Sequence, residues 1–326
     1  MLRWKWRALA LTLTVAALGG ALQAQTPPAQ PPPAQIPVGT PPAAQAGRGG
    51  PPPAPVVIGP PAPVPPDVAI PRPTAADVTQ VNAALQRFID ADKTDTQALL
   101  KKYQPLIMLR EQRLNVAATY TQTVQRRGAR HEGFVQRAQE GGIDLLFHGD
   151  SITDWWTQGP DNQAMFEKYF GGMKTANFAI AGDTTQGVLW GLKNGEGQGF
   201  QPKAVMLMIG TNNAGSYSAA EIAEGIGAIV LELRQDFPNA KILLLAIFPR
   251  SIPGDPVRDR IAETNRIIAK LDDQKHVFFL DIGSKFLDGR GYFLPDTFRP
   301  DLLHPVAGGY DIWGAAVKDK LAELMK

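Results

Sequence analysis

The chain has 326 residues, no cysteine, and a formal charge of +2 from 33 basic and 31 acidic side chains. Without cysteine there can be no disulfide, no thiolate nucleophile and none of the common zinc frameworks. A near-neutral balance with no dense basic block argues against nucleic acid or an anionic membrane as partner.

The N-terminus opens with the basic segment Met1-Leu2-Arg3-Trp4-Lys5-Trp6-Arg7, followed by an apolar stretch from Ala8 to Gly20 and then Ala21-Leu22-Gln23-Ala24. This is the order of a secretory signal peptide, and the apolar run is short for a membrane span. Residues 1–24 therefore read as a signal peptide cleaved after Ala21 or Ala24. The expected product is exported, periplasmic or extracellular, with no stable membrane span left after cleavage. Residues 25–73 read as a Pro-rich linker, since the stretch 26–73 holds 19 of the 29 prolines and only three charges, Arg48, Asp67 and Arg72. Proline fixes φ and removes a donor, so neither helix nor sheet propagates there. Removal of such a spacer is expected to leave the domain's chemistry intact.

Residues 74–140 read as a helical extension. Thr74 can cap a helix in which Val78, Val81, Ala84, Leu85, Phe88 and Ile89 share one face. Leu99, Leu100 and Tyr103 suggest a second helix, and Glu132 to Glu140 a third that stops at Gly141-Gly142. The stretch from Arg110 to Gly128 has no clear period, and nothing in 74–140 carries recognisable chemistry.

From residue 141 to the end the pattern changes. Short apolar runs at Ile143–His148, Thr175–Ile180, Ala204–Ile209, Lys241–Phe248 and His276–Leu280 alternate with helical stretches. These helices are expected at Gln163–Tyr169, Thr185–Leu192, Ala219–Phe237, Arg258–Leu271 and about Val306–Met325. The alternation predicts an α/β domain with a five-stranded parallel sheet covered on both faces. Ligands of such sheets sit beyond the carboxyl ends of the strands.

Four short motifs fall in that region. Gly149-Asp150-Ser151-Ile152-Thr153, Ala181-Gly182-Asp183 and Gly210-Thr211-Asn212-Asn213 follow strands one to three, and Asp301-Leu302-Leu303-His304 precedes the last helix. Ser151 is one of five serines and the one at a strand end ahead of a helical turn, where backbone N–H groups favour developing negative charge. A serine hydroxyl needs a base, and the chain offers His131, His148, His276 and His304. Asp301, three residues before His304, is spaced to reach the imidazole Nδ1–H and aim Nε2 at a nucleophile. Gly182 admits close approach to its backbone N–H, and Asn212 can donate from its amide. Each residue alone has a plainer reading: a cap for Ser151, turn chemistry for Gly182 and Asn212, a surface histidine for His304. His131 and His148 read as structural. The elbow motif G-x-S-x-G, the P-loop and the dinucleotide fingerprint are all missing at the first strand.

The four ordered blocks resemble those of the SGNH (GDSL-type) hydrolase family, over roughly residues 141–326. Asn177–Leu192 and Gly210–Asn213 look most like its platelet-activating-factor acetylhydrolase catalytic-subunit branch. The resemblance implies a flavodoxin-like three-layer sandwich and a serine esterase. It makes Ser151 the nucleophile, His304 the base and Asp301 its orienter. The oxyanion hole then takes the N–H groups of Ser151 and Gly182 and the Asn212 amide. Family members need no cofactor and no metal. The substrate implied is a small acyl ester, short-chain and acetyl-type, with a carbohydrate O-acetylesterase or a lysophospholipase-type lipid esterase as alternatives. A non-catalytic binding protein on the same scaffold is the alternative of another class. Block one reads Gly-Asp-Ser-Ile where Gly-Asp-Ser-Leu is usual. Trp155 and Trp156, just after the nucleophile, read as core residues or as pocket walls.

Overall fold

The structure is a computed structural model that describes residues 55–110 and 113–326. The expected signal peptide and most of the expected linker lie outside these residues. In chain order, α1 (Ala75–Asp90), α2 (Asp95–Lys102), α3 (Gln104–Ile107) and α4 (Ala129–Glu140) precede the sheet. They are followed by β1 (Leu145–Gly149), α5 (Ser151–Asp154), α6 (Pro160–Phe170), β2 (Thr175–Asn177) and α7 (Thr185–Gly191). Then come β3 (Ala204–Met208), α8 (Ala219–Asp236), β4 (Lys241–Leu245), α9 (Pro256–Ile268), β5 (Val277–Leu280) and α10 (Ala307–Leu324). The expected third helix of the extension thus starts earlier, at Ala129. The aperiodic stretch before it contains two short 3₁₀ turns, Val116–Ala118 and Val124–Arg126.

All five strands pair in parallel in the order β2-β1-β3-β4-β5. β1 and β3 are buried along their whole length, as strands covered on both faces must be. Their side chains alternate between two cores. Leu146, Val205 and Leu207 pack with Ile222, Ile226, Ile229 and Leu233 of α8. Leu145, Phe147 and Met206 pack on the other face with Trp156, Phe166 and Phe170, and with Tyr310, Trp313, Val317 and Leu321 of α10. Full burial of each such side chain stabilises the fold by about 1.5–3 kcal/mol. The result is the three-layer sandwich. The expected strand Thr175–Ile180 is shorter in the structure, because the chain leaves the ladder after Asn177 to carry Gly182 across the end of β1. Ile180 N–H still donates to the Gly149 carbonyl at 3.3 Å. β4 likewise stops at Leu245.

The linker expectation needs correction at its C-terminal end. Residues 59–72 lie along the domain as a strap. Ala62 N–H donates to the Ala118 carbonyl and Tyr120 N–H to that of Pro60, each at 2.9 Å. Ala62 and Val68 are buried in the α8-side core. Proline forbids helix and ladder, but it leaves carbonyls and apolar surface free to pack. The strap ends on a fully buried carboxylate, Glu224 of α8. Glu224 accepts from Ile70 N–H at 2.7 Å and from Asn115 Nδ2 at 2.9 Å. It takes a bidentate pair from Arg72 at 2.9 and 2.7 Å.

Arg72→Ala would remove the charged partner of that carboxylate. Leaving a buried acceptor short of donors costs about 1–3 kcal/mol, so thermal unfolding should begin several degrees lower. Differential scanning calorimetry checks this. An unchanged melting temperature would mean the strap does not hold the domain together.

Candidate active site

The site lies where β1 and β3 end. Gly149 closes β1 because no larger residue fits: a Cβ there would come within 2.3 Å of the Met208 carbonyl and 2.6 Å of Thr153 Oγ1. The chain then turns into α5, and Asp150 caps that turn by accepting from Ile152 N–H at 3.0 Å. This puts Ser151 at the first position of the turn, nearly buried. The Tyr310 hydroxyl of α10 donates to the Ile152 carbonyl at 2.8 Å and ties the turn down.

Ser151 Oγ lies 2.9 Å from His304 Nε2, and His304 Nδ1 lies 2.8 Å from Asp301 Oδ2. Asp301 Oδ1 accepts the backbone N–H groups of Leu303 and His304, each at 3.0 Å. One carboxylate thus folds the loop and orients the ring. Partial burial works to raise the Asp301 pKa, but the hydrogen bonds from the His304 ring and the two N–H groups outweigh it and hold the carboxyl below its ordinary value. Between these residues Leu302 adopts the left-handed region at φ 53°. Its carbonyl accepts from Ser251 N–H at 2.9 Å, which pins a conformation that β-turn energetics disfavours.

The loop that carries the first expected oxyanion donor is tied to the nucleophile's turn, where Ala181 N–H donates to Asp154 Oδ2 at 3.0 Å. Gly182 sits at φ 79°, a conformation that glycine adopts freely. Asn212 Nδ2 donates one hydrogen to the Asp183 carbonyl at 2.8 Å, which leaves its other N–H unused by that bond. The structure therefore joins Ser151, His304 and Asp301 in one hydrogen-bonded chain and links Asn212 to the residue after Gly182. His131 and His148 lie apart from it. His148 is fully buried in β1, and neither ring nitrogen has a hydrogen-bond partner among the described residues. Burial, aided by the Arg126 charge, pushes its pKa well below the ordinary value, so the ring is neutral.

Other residues support the site, and of these the sequence singled out only Trp155, left open between core and pocket wall. Trp155 stacks on the His304 ring at 4.1 Å between centroids and 25° between planes. Arg299 lies over its indole, 4.7 Å from the ring centroid. Trp156, its neighbour, is wholly core. Beneath the Gly182 loop, Arg126 is completely buried. Its Nε donates to Asp183 Oδ2 at 2.8 Å, its Nη1 pairs with Glu196, and its Nη2 donates to the Phe178 carbonyl at 3.2 Å. Burial opposes the guanidinium charge, but Asp183 and Glu196 more than offset it and the Arg126 pKa rises. Burial raises Asp183 against the pull of Arg126.

The model of the GDSL-like Lipase/Acylhydrolase family matches residues 147–312, half of the chain. The chain belongs to this family. Among its relatives is the platelet-activating factor acetylhydrolase IB subunit alpha2 of Rattus norvegicus, 36% identical over 184 residues, 56% of this chain and 77% of that protein. The Gallus gallus counterpart is 35% identical over the same shares. The platelet-activating factor acetylhydrolase IB subunit beta homolog of Drosophila melanogaster is 37% identical over 42% of this chain and 59% of its own. The protein is accordingly a carboxylic ester hydrolase of the GDSL type, built on the α/β sandwich described above.

Asp150, beside the serine, offers a test of the site's electrostatics. Burial, with a smaller push from Asp183, raises its carboxyl to about 7. A carboxyl raised on folding binds its proton more tightly in the native state. Its stabilising contribution is full below its ordinary value of 3.8 and is lost as pH rises through about 7. Asp150→Asn keeps the cap without titrating. The melting temperature of the variant relative to wild type should therefore climb between pH 4 and pH 8. A difference that stays constant across that window would show that Asp150 is not held protonated by its surroundings.

Proposed function

We propose that this protein is an exported serine esterase that hydrolyses short-chain, acetyl-type esters through a Ser151–His304–Asp301 triad and an acyl-enzyme. The observation that carries the reading is the unbroken relay from Ser151 Oγ to His304 Nε2 at 2.9 Å and from His304 Nδ1 to Asp301 Oδ2 at 2.8 Å. Both distances are within hydrogen-bond reach, the geometry that base-activated hydroxyls require.

In the first half-reaction His304 Nε2 takes the Ser151 hydroxyl proton as Oγ attacks the ester carbonyl carbon. Asp301 holds the imidazole in the tautomer that leaves Nε2 free, and its carboxylate stabilises the imidazolium that forms. The carbonyl oxygen becomes an oxyanion facing the N–H groups of Ser151 and Gly182 and the unused amide N–H of Asn212. Collapse of the intermediate expels the alcohol, which takes the proton from His304. Water then attacks the acyl-serine with His304 as base, and the acid leaves. Trp155, stacked on the ring, limits its swing between the two halves.

The acetyl preference is supported by the relatives, which are named for removal of an acetyl group. Export is supported by the signal-like order of residues 1–24, and the substrate would then be met outside the cytoplasm. No helix among the described residues is long and apolar enough to cross a membrane.

The reading is tested with p-nitrophenyl esters of increasing acyl length. Wild type should show its highest kcat/KM on the acetyl ester, and Ser151→Ala should lose at least roughly 10³-fold in kcat with an unchanged circular dichroism spectrum. A folded Ser151→Ala variant with near wild-type turnover would move the nucleophile elsewhere. An optimum at eight carbons or more would replace the acetyl preference with a lipid one.

A further inference from the structure

We infer that Arg126 and Arg130, two residues upstream of the family-matched region, are positioning residues for the oxyanion donors Gly182 and Asn212. This rests on the role proposed above for that hole. The segment after β2 runs from Phe178 to Asp183 and carries Gly182 near its end. Arg126 grips it at both ends: Nη2 donates to the Phe178 carbonyl at 3.2 Å and Nε to Asp183 Oδ2 at 2.8 Å. Arg130, four residues on at the start of α4, grips it between. Its Nη2 donates to the Ala179 carbonyl at 2.8 Å and to Asp154 Oδ1 at 2.7 Å. The other oxygen of Asp154 accepts the Ala181 N–H at 3.0 Å. Asp154 ends α5, the turn that Ser151 begins. Arg130 therefore fixes the distance between the nucleophile's turn and the donor loop.

Asp183 passes the constraint to Asn212. Its carboxylate also accepts from Thr184 N–H at 2.9 Å and Thr123 Oγ1 at 3.3 Å, so side chain and backbone move together. Its main-chain carbonyl is the acceptor for Asn212 Nδ2. The terminal torsion of asparagine is broad and two-fold, so an amide without such an anchor samples many planes. With one N–H held by Asp183, the direction of the other is set. Buried ion pairs contribute little net stability as a rule, because desolvation offsets the Coulomb gain. What Arg126 supplies is a fixed geometry: its guanidinium is also paired with Glu196, which His131 Nδ1 contacts at 2.7 Å from the opposite side. Gln125 flanks Gly182 itself: its side-chain amide nitrogen lies 3.3 Å from where a Cβ there would stand.

A double-mutant cycle on the full chain with p-nitrophenyl acetate tests this. Asn212→Ala alone should lower kcat about 10²–10³-fold. Arg126→Lys keeps a charge but loses the fork, and should lower kcat at least about tenfold, with KM within about twofold. If Arg126 acts through the donors, Arg126→Lys added to Asn212→Ala should cost much less than in wild type. Arg130 is half exposed, so Arg130→Gln is safe for folding and carries the same test if Arg126→Lys does not fold. It should lower kcat less steeply, again with a reduced effect beside Asn212→Ala. Full kcat in the folded arginine variants would overturn the inference. So would losses that simply multiply with that of Asn212→Ala, or changes confined to KM. Ser151→Ala separates the two levels. If it stays active, the triad reading itself fails. If Ser151→Ala and Asn212→Ala lose turnover while the arginine variants keep it, only the positioning role fails.

Discussion

The buried guanidinium of Arg126 is the interaction on which the rest of the site depends. It lies with no solvent exposure between two equally buried carboxylates, Asp183 and Glu196. Such an arrangement tolerates little movement, because any separation leaves a charge in a low-dielectric interior with no partner. Asp183 follows Gly182 in the chain and anchors Asn212 through its carbonyl. Glu196 lies beneath α7 and next to the neutral His148 of β1. One side chain therefore joins both ends of the segment after β2 to Glu196 beyond α7 and, through Asp183, reaches Asn212 in the loop after β3.

The base is secured differently. His304 sits on a loop, and loops hold geometry poorly unless something fixes them. Here Asp301 uses one oxygen to cap the backbone of Leu303 and His304 and the other to hold the ring. The left-handed turn at Leu302 is unfavourable by itself and is maintained by Ser251 and by the capping carboxylate. Trp155 then supports the imidazole face, with Arg299 on the indole. Because Trp155 lies on the same turn as the nucleophile, the ring and Ser151 are referenced to one short stretch of backbone. Asp301 is half exposed while the His304 ring is largely covered, and Trp155 covers one face of that ring.

The sheet and the residues of the candidate site were legible in the sequence, and most of their supports were not. Apolar runs such as Ala204–Ile209 announce a strand covered on both faces, and the motif after each run falls at its carboxyl end. Ser151, Gly182, Asn212, Asp301 and His304 could be picked out because their chemistry is completed by neighbours within a few residues or by a recognisable companion block. Arg126 has no such local signature. Its partner Asp183 is 57 residues away and Glu196 is 70 away, in a stretch with no helical or strand period. Trp155 and Trp156 were equivalent in sequence, and only the turn of the short 3₁₀ helix Trp155–Thr157 sends one to the histidine and the other into the aromatic core. The strap misled for a related reason. Proline content excludes regular structure, yet Ile70 still had an N–H to give and Arg72 a charge to pair. Both found Glu224 on a helix more than 150 residues away.

A division of labour follows from this. The loops after β1, β2 and β3 and the loop before α10 carry the residues proposed to react, all within the family-matched region. The upstream chain supplies fixed charges and polar partners to this region: Arg126 and Arg130 to the Gly182 loop, the Ala117 carbonyl to Thr185 of α7 at 2.7 Å, and Asn115 to Glu224 of α8 at 2.9 Å. Thr185 N–H in turn donates to the side chain of Asn213, at 3.1 Å, next to the Asn212 donor. Contacts of this kind connect the strap to residues 115–120, and residues 117–130 to the loops that hold Gly182 and Asn213. An oxyanion hole works by being in place before charge develops, so that no reorganisation is needed during the reaction. A sheet alone does not confer that on two loops leaving its edge. On the proposed reading, that preorganisation comes from upstream segments that carry no reacting group of their own, residues 59–72 and 115–130.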